Sequence, residues 1–197
     1  MIWVLVGVVL VLLAVIGVLV MRQRRSLQLK EGFGPEYDRV VAARGDQRAG
    51  EKELLERRKR HDHLEICPLD PAARDEYLER WAVTQRRFVD QPAAAVEQAN
   101  VLVQQVMSER GYPVDGDFEQ VAADVSVEHS EVVENYRAAH STAVRAGGGQ
   151  ASTEELRQSM VHFRALLDDL LADDESDSAR KDQARSGEIA QESTTRR

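Results

Sequence analysis

The chain reads as an all-α protein: a single N-terminal transmembrane helix, a charged helical spacer, then a compact bundle of about four to five helices. Three observations predict this. The first 21 residues are almost wholly apolar, helix start and stop signals recur through the middle of the chain, and no stretch alternates as a strand would. With 197 residues, 43% hydrophobic and 30% charged, there is room for one domain of ordinary size plus accessories. A net charge of -8 and a pI near 5.2 give no global attraction to nucleic acid, so no such partner is expected. The one cysteine, Cys67, excludes an intrachain disulfide framework and a cysteine-rich zinc site.

Ile2 to Met21 form 20 consecutive uncharged positions, of which only Gly7 and Gly17 fall outside the hydrophobic set. As a helix they span roughly 30 Å, the thickness of a hydrocarbon core. A cleaved signal fits less well, because no basic residue precedes the run, it is too long, and no small-x-small site closes it. Arg22, Arg24 and Arg25 flank the run, with Lys30 beyond them. By the positive-inside rule they keep the following chain in the cytoplasm and the amino terminus outside. An anionic inner leaflet is the expected partner of that cluster. Residues 1–25 are thus read as a membrane anchor.

Residues 26–66 are read as a charged juxtamembrane helical spacer. Gly32, Gly34 and Pro35 break the membrane helix, and Pro35 suits the first turn of a short one. After a second break at Gly45–Asp46 the chain is helix-prone but has few apolar positions, Leu54 and Leu55 standing nearly alone. A helix so polar bridges solvent or pairs loosely with a neighbour.

Residues 67–172 carry the bundle and, with 9 basic against 18 acidic side chains, the acidity as well. Asp70–Pro71 opens a helix to about Val89, with Tyr77, Trp81 and Phe88 on one face. Gln91–Pro92 opens the next, with Val96, Ala99, Leu102, Val103, Val106 and Met107 as its stripe and Gly111 as its stop. A short helix is expected from Asp117 to Asp124, then a stripe from Val132 to Ala143 ending at Gly147–Gly149. Ser152-Thr153-Glu154-Glu155 is a capping box that starts a last helix burying Leu156, Met160, Phe163, Leu167 and Leu170. Residues 173–197 hold too few apolar side chains to offset ordering entropy and are expected to be disordered.

Chemistry-bearing patterns fail on spacing. His61-Asp62-His63 places its imidazoles about 200° apart on a helix, so no metal site is expected there. Counting an EF-hand from Asp115 puts Gln120 and Ser126 where glycine and glutamate are required. Gly147–Gly149 lacks the lysine and the preceding strand of a phosphate loop. Cys67 has no histidine or aspartate that can be placed beside it. No catalytic residue, cofactor or metal is expected. His129, Tyr136 and His140 are assigned to one helical face and, with Tyr112 in the following-turn motif ERGYP, form the expected partner surface. His162 is expected to be exposed.

The phrases FGPEYDR (33–39), RFVDQPAAAVEQA (87–99), ERGYP (109–113), ADVSVEH (123–129), VVENYRAAH (132–140) and STEELRQSMVHFRALL (152–167) together carry a resemblance. In them the chain resembles a family of uncharacterised membrane or secreted proteins common in actinobacteria. The resemblance covers roughly residues 33–171 and implies no activity, cofactor or catalytic residue.

The functional expectation is a membrane-anchored, non-enzymatic interaction or scaffold module at the cytoplasmic face, with an unidentified protein partner. The alternatives are a small-molecule-binding or enzymatic bundle, with a pocket lined by Trp81, Tyr136 and His140, and a secreted or externally displayed domain.

Overall fold

Gly34 and Pro35 decide the shape of the N-terminal third. The computed structural model describes residues 2–172, with side chains at positions 16, 17, 20 and 21 and from 23 onward. Helix α1 (Ile2–Arg44) has helical backbone angles except at Gly34, where φ is 44° and ψ -126°, a conformation open to glycine. Pro35 then restarts the helix, as its fixed φ and missing N–H suit a first turn. The interruption is a reversal rather than a bend. Tyr37 Oη lies 3.3 Å from Ser26 Oγ, although 11 residues of unbroken helix would separate them by about 16 Å. A side chain on Gly34 would meet Glu131 Oε1 at 2.6 Å, so the reversal is seated against the bundle.

The chain turns again at Gly45 and enters α2 (Gln47–His61), whose first turn is capped by Asp46 accepting from the Ala49 N–H at 3.0 Å. Helix α2 runs beside the segment before Gly34. Gln47 Nε2 donates to Ser26 Oγ at 3.1 Å near its start, and the Arg58 guanidinium covers the Phe33 ring at 5.5 Å near its end. Three antiparallel pieces, 23–33, 35–44 and 47–61, therefore form a collar around Leu29, Phe33, Tyr37, Val40 and Leu54, with Val127 of the bundle packed on it. The segment expected as a solvated spacer thus has a core of its own.

The remaining helices are α3 (Pro71–Arg87), α4 (Pro92–Arg110), α5 (Phe118–Val125), α6 (Val133–Gly147) and α7 (153–172). No strand occurs among the described residues. The caps form as the sequence anticipates: Asp70 accepts from the Ala72 N–H at 2.9 Å, and Glu155 Oε2 accepts from the Ser152 N–H at 2.8 Å. Helix α4 packs against both α3 and α6, and its stripe is buried from Val96 to Met107. Leu156, Met160, Phe163, Leu167 and Leu170 of α7 are buried with it. Gly111 ends α4 with φ 101°, and the 65–67 segment crosses it so closely that a Cβ would sit 2.4 Å from the Glu65 carbonyl oxygen. Cys67 N donates to the Arg110 carbonyl at 2.9 Å while its side chain stays exposed.

Among the described residues no helix is long and apolar enough to cross a membrane. The side chains of positions 2–15, most of the expected anchor, lie outside that set. So does the 173–197 tail, on which the expectation of disorder falls.

Candidate functional site

Where the collar meets the bundle, a single carboxylate gathers three guanidinium groups. Glu36 stands in the first turn after the Gly34 reversal and is 2% exposed. Arg39, one turn later, donates Nε and Nη2 to it at 2.9 and 3.0 Å. Arg57 on α2 donates Nη1 at 2.7 Å. Arg137 on α6 donates Nη1 and Nη2 at 2.9 and 3.1 Å, across 101 residues of sequence. Outer carboxylates balance the excess positive charge. Glu53 pairs with both Arg57 and Arg44, Glu119 lies 3.2 Å from Arg137, and Glu134 lies 3.6 Å from Arg39.

Burial alone would raise the Glu36 carboxyl, but the hydrogen bonds and charges of Arg39 and Arg137 outweigh it and hold the group below its ordinary value. Glu53 is governed the same way: burial pushes it up, while Arg57 and Arg44 bring it down. A carboxylate held ionised among arginines has no proton to give near neutral pH, so Glu36 is not placed as a general acid there. Beside it opens a polar cleft of about 450 Å3 edged by Arg39, Arg44, Arg60, Glu56 and Asp117.

A second polar seam joins α2, the turn after α4 and α7. Tyr112 Oη donates to Glu128 Oε2 at 2.8 Å, and His61 Nε2 lies 3.6 Å from the same oxygen, beyond hydrogen-bond distance. The neighbouring His61, with Tyr112 and His129 adding to it against the effect of burial, brings the Glu128 carboxyl down to about 2. His129 Nδ1 lies 2.9 Å from Asp169 Oδ2. The Tyr112 ring is tilted between the two imidazoles, 6.2 Å from His61 and 6.3 Å from His129.

These placements correct the expected partner surface. Tyr112 is 3%, His129 2% and Tyr136 0% exposed, so three of the four residues lie inside the protein. His129 belongs to the turn before α6 and does not share a helical face with Tyr136 and His140. Only His140 keeps partial access; its ring stacks on Phe118 at 3.7 Å and its Nδ1 lies 3.3 Å from Asn100 Oδ1. Burial lowers its pKa, against the pull of Glu119. Burial also raises the Tyr136 phenol to about 12.

Tyr136 and His140 do line a cavity, of about 180 Å3, together with Gln104, Val114 and Phe118. Trp81 is not part of it. That ring lines a separate groove of about 450 Å3 between α3 and α7, with Phe88, Met160, Val161 and Arg164. His61 is buried and His63 exposed, and no group of His, Cys, Asp and Glu among the described residues is arranged to hold a metal ion. His162, expected at the surface, is half-buried, and Arg24 and Arg25 are exposed. The Arg22 side chain lies outside the described residues.

The residues that sequence reasoning missed are Glu36, Arg57 and Arg137. The Glu36–Arg39 spacing offered a local hint, but nothing in the sequence links either to position 137. Fold and junction together define an all-α module in which a three-segment collar is clamped onto a five-helix bundle by buried charge. No family model, curated protein or solved structure matches this chain.

Proposed function

We propose that this chain is a membrane-anchored helical interaction module, with Ile2–Met21 as a single-pass anchor, the amino terminus outside and the folded helices at the cytoplasmic face. The observation that carries the reading is the continuity of α1. Its helical backbone leads from the apolar run, without a linker, into a segment whose Leu29 and Phe33 are 1% and 0% exposed in the collar core. An anchor joined in this way holds the bundle at a defined place and angle, which suits a scaffold. The 20-residue apolar run and the arginines after it support the span and its orientation. An interaction role is favoured over catalysis because the buried charges are spent on one another, in the Glu36 junction and the Glu128 seam.

Cys67 makes the test direct, since its thiol is exposed and no other cysteine competes. A membrane-impermeant thiol reagent should leave it unlabelled in intact cells and label it after permeabilisation. Labelling in intact cells would overturn the orientation, and release of the chain from membranes by alkaline carbonate would overturn the anchor. A defined partner crosslinked to the tethered full chain, beyond random membrane neighbours, completes the expected result.

One observation favours a second reading, a bundle that binds a small ligand: the cavity at Tyr136 and His140. A small uncharged heterocycle that raises the melting temperature of the wild type but not of Val121→Phe, which fills the cavity, would support it. Equal shifts in both proteins would remove it.

A further inference from the structure

Tyr136 is the largest completely buried side chain among the described residues, and its hydroxyl makes no hydrogen bond with any of them. Folded proteins pair the large majority of buried polar side-chain atoms, because an unpaired one has given up its hydration for no return. Gln104 acts on this phenol electrostatically, lowering its pKa against the effect of burial, without forming a hydrogen bond. Gln104 also lines the cavity that Tyr136 shares with Val114, Phe118 and His140, so the hydroxyl end of the ring stands on the cavity side.

The cavity has the size and the walls for a small flat molecule. Benzene fits a cavity of roughly 150 Å3. At about 180 Å3 this one is slightly larger. Its walls are aromatic: Phe118 stacks on His140 at 3.7 Å with 7° between the planes, and Tyr136 is tilted to them at 5.2 and 6.4 Å. Among the described residues no carboxylate, ammonium or guanidinium lines it. His140 Nδ1 lies 3.3 Å from Asn100 Oδ1, an oxygen that only accepts, so Nδ1 carries the proton. Burial lowers the pKa of that imidazole against the pull of Glu119, which favours the neutral ring. The exposed Gly116 also lines the cavity and marks its mouth, between the exposed Asp115 and Asp117, whose charges disfavour an anion.

We propose that this cavity takes a small, neutral, planar molecule carrying a carbonyl oxygen, such as a single-ring lactam, and that the oxygen accepts the hydrogen bond of Tyr136 Oη. The inference rests on the ligand-binding reading of the same cavity and adds the polar group by which the ligand is chosen. A buried donor without a partner discriminates against a molecule that cannot accept from it, however well that molecule fits.

The test titrates the full chain in mild detergent with 2-pyridone and with toluene, a probe of similar size that has no acceptor, and reads binding by calorimetry. Wild type, Tyr136→Phe and Val121→Phe are compared. Tyr136→Phe should weaken 2-pyridone about fivefold, as loss of one neutral hydrogen bond implies, and leave toluene unchanged. Val121→Phe should abolish binding of both. Without ligand, Tyr136→Phe should keep or raise the melting temperature, because it removes a hydroxyl that the fold does not pair. A fall of several degrees would show that the hydroxyl is satisfied within the fold and would overturn the proposal. So would 2-pyridone binding that ignores Tyr136→Phe, or an equal loss for both probes, although the cavity would remain a ligand site. If neither probe binds the wild type, or both bind Val121→Phe undiminished, the ligand reading itself falls and the proposal with it.

Discussion

Glu36→Gln is the most exacting perturbation of this protein, because it keeps the shape of the side chain and removes only its charge. The wild-type carboxylate accepts five charge-assisted hydrogen bonds at 2.7 to 3.1 Å from Arg39, Arg57 and Arg137. The amide leaves three guanidinium groups facing a neutral side chain, two of them less than a tenth exposed. Removing one partner of a buried pair costs about 3–5 kcal/mol. The outer carboxylates Glu53, Glu119 and Glu134 remain and soften the loss, so the lower end applies, about 3 kcal/mol. At about 2–4 °C per kcal/mol for a domain of this size, the melting temperature should fall by roughly 6–12 °C at pH 7. The assay is thermal unfolding of the full chain in mild detergent, followed by far-ultraviolet circular dichroism. The sign with pH is fixed. Glu36 is held below its ordinary value in the fold, so its contribution is complete above about pH 4.5 and is lost as pH falls through the folded value. The gap between wild type and variant should therefore close in acid. A melting temperature within about 2 °C of wild type at pH 7, or a gap that widens in acid, would refute the reasoning. Arg137→Gln in the Glu36→Gln background should cost less than it does alone, since the two share one network.

Three further outcomes follow from other parts of the fold. Gly111→Ala combines a φ of 101° with a backbone carbonyl at 2.4 Å, and should destabilise by about 1–3 kcal/mol in urea titration; a neutral result would mean the 65–67 crossing is not close. Glu128→Gln should lower stability at pH 7 and lose that effect between about pH 4.5 and 2, because the carboxyl sits at about 2 in the folded chain. With a side chain 40% exposed, its worth after solvent screening is about 1 kcal/mol. Ser152→Ala should cost about 1 kcal/mol and speed hydrogen exchange in the first turn of α7, where the Glu155 N–H loses its acceptor at 3.3 Å.

Legibility in the sequence followed how local each interaction is. Helices α3, α4 and α7 were readable because their caps and stripes are written within one element, from Asp70–Pro71 to Gly111 and from Ser152 to Leu170. The collar was not. Its core draws Leu29 and Phe33 from one segment, Tyr37 and Val40 from the next and Leu54 from a third, too few in any one for a periodic signal. The Arg58 guanidinium also lies over the Phe33 ring, so a residue counted as charge contributes to the collar's packing. Tyr112 was assigned to the surface from the ERGYP turn, and His129 from a helical face shared with Tyr136 and His140. Burial followed from Glu128 and Asp169, which supply partners for their polar tips within the fold. The junction could be anticipated only in its local half, Glu36 with Arg39.

That division of the junction into near and far partners sets an order of assembly. As the chain emerges from the ribosome, Glu36 meets Arg39 first and Arg57 soon after, so the carboxylate is neutralised long before position 137 has been made. Arg137 closes the cluster last, across 101 residues, and only once α6 has formed. Until then the collar already has its own small core, while the growing bundle leaves one face waiting for it. A chain that stops before α6 keeps the collar's contacts with α5 and Val127 but lacks the Arg137 clamp.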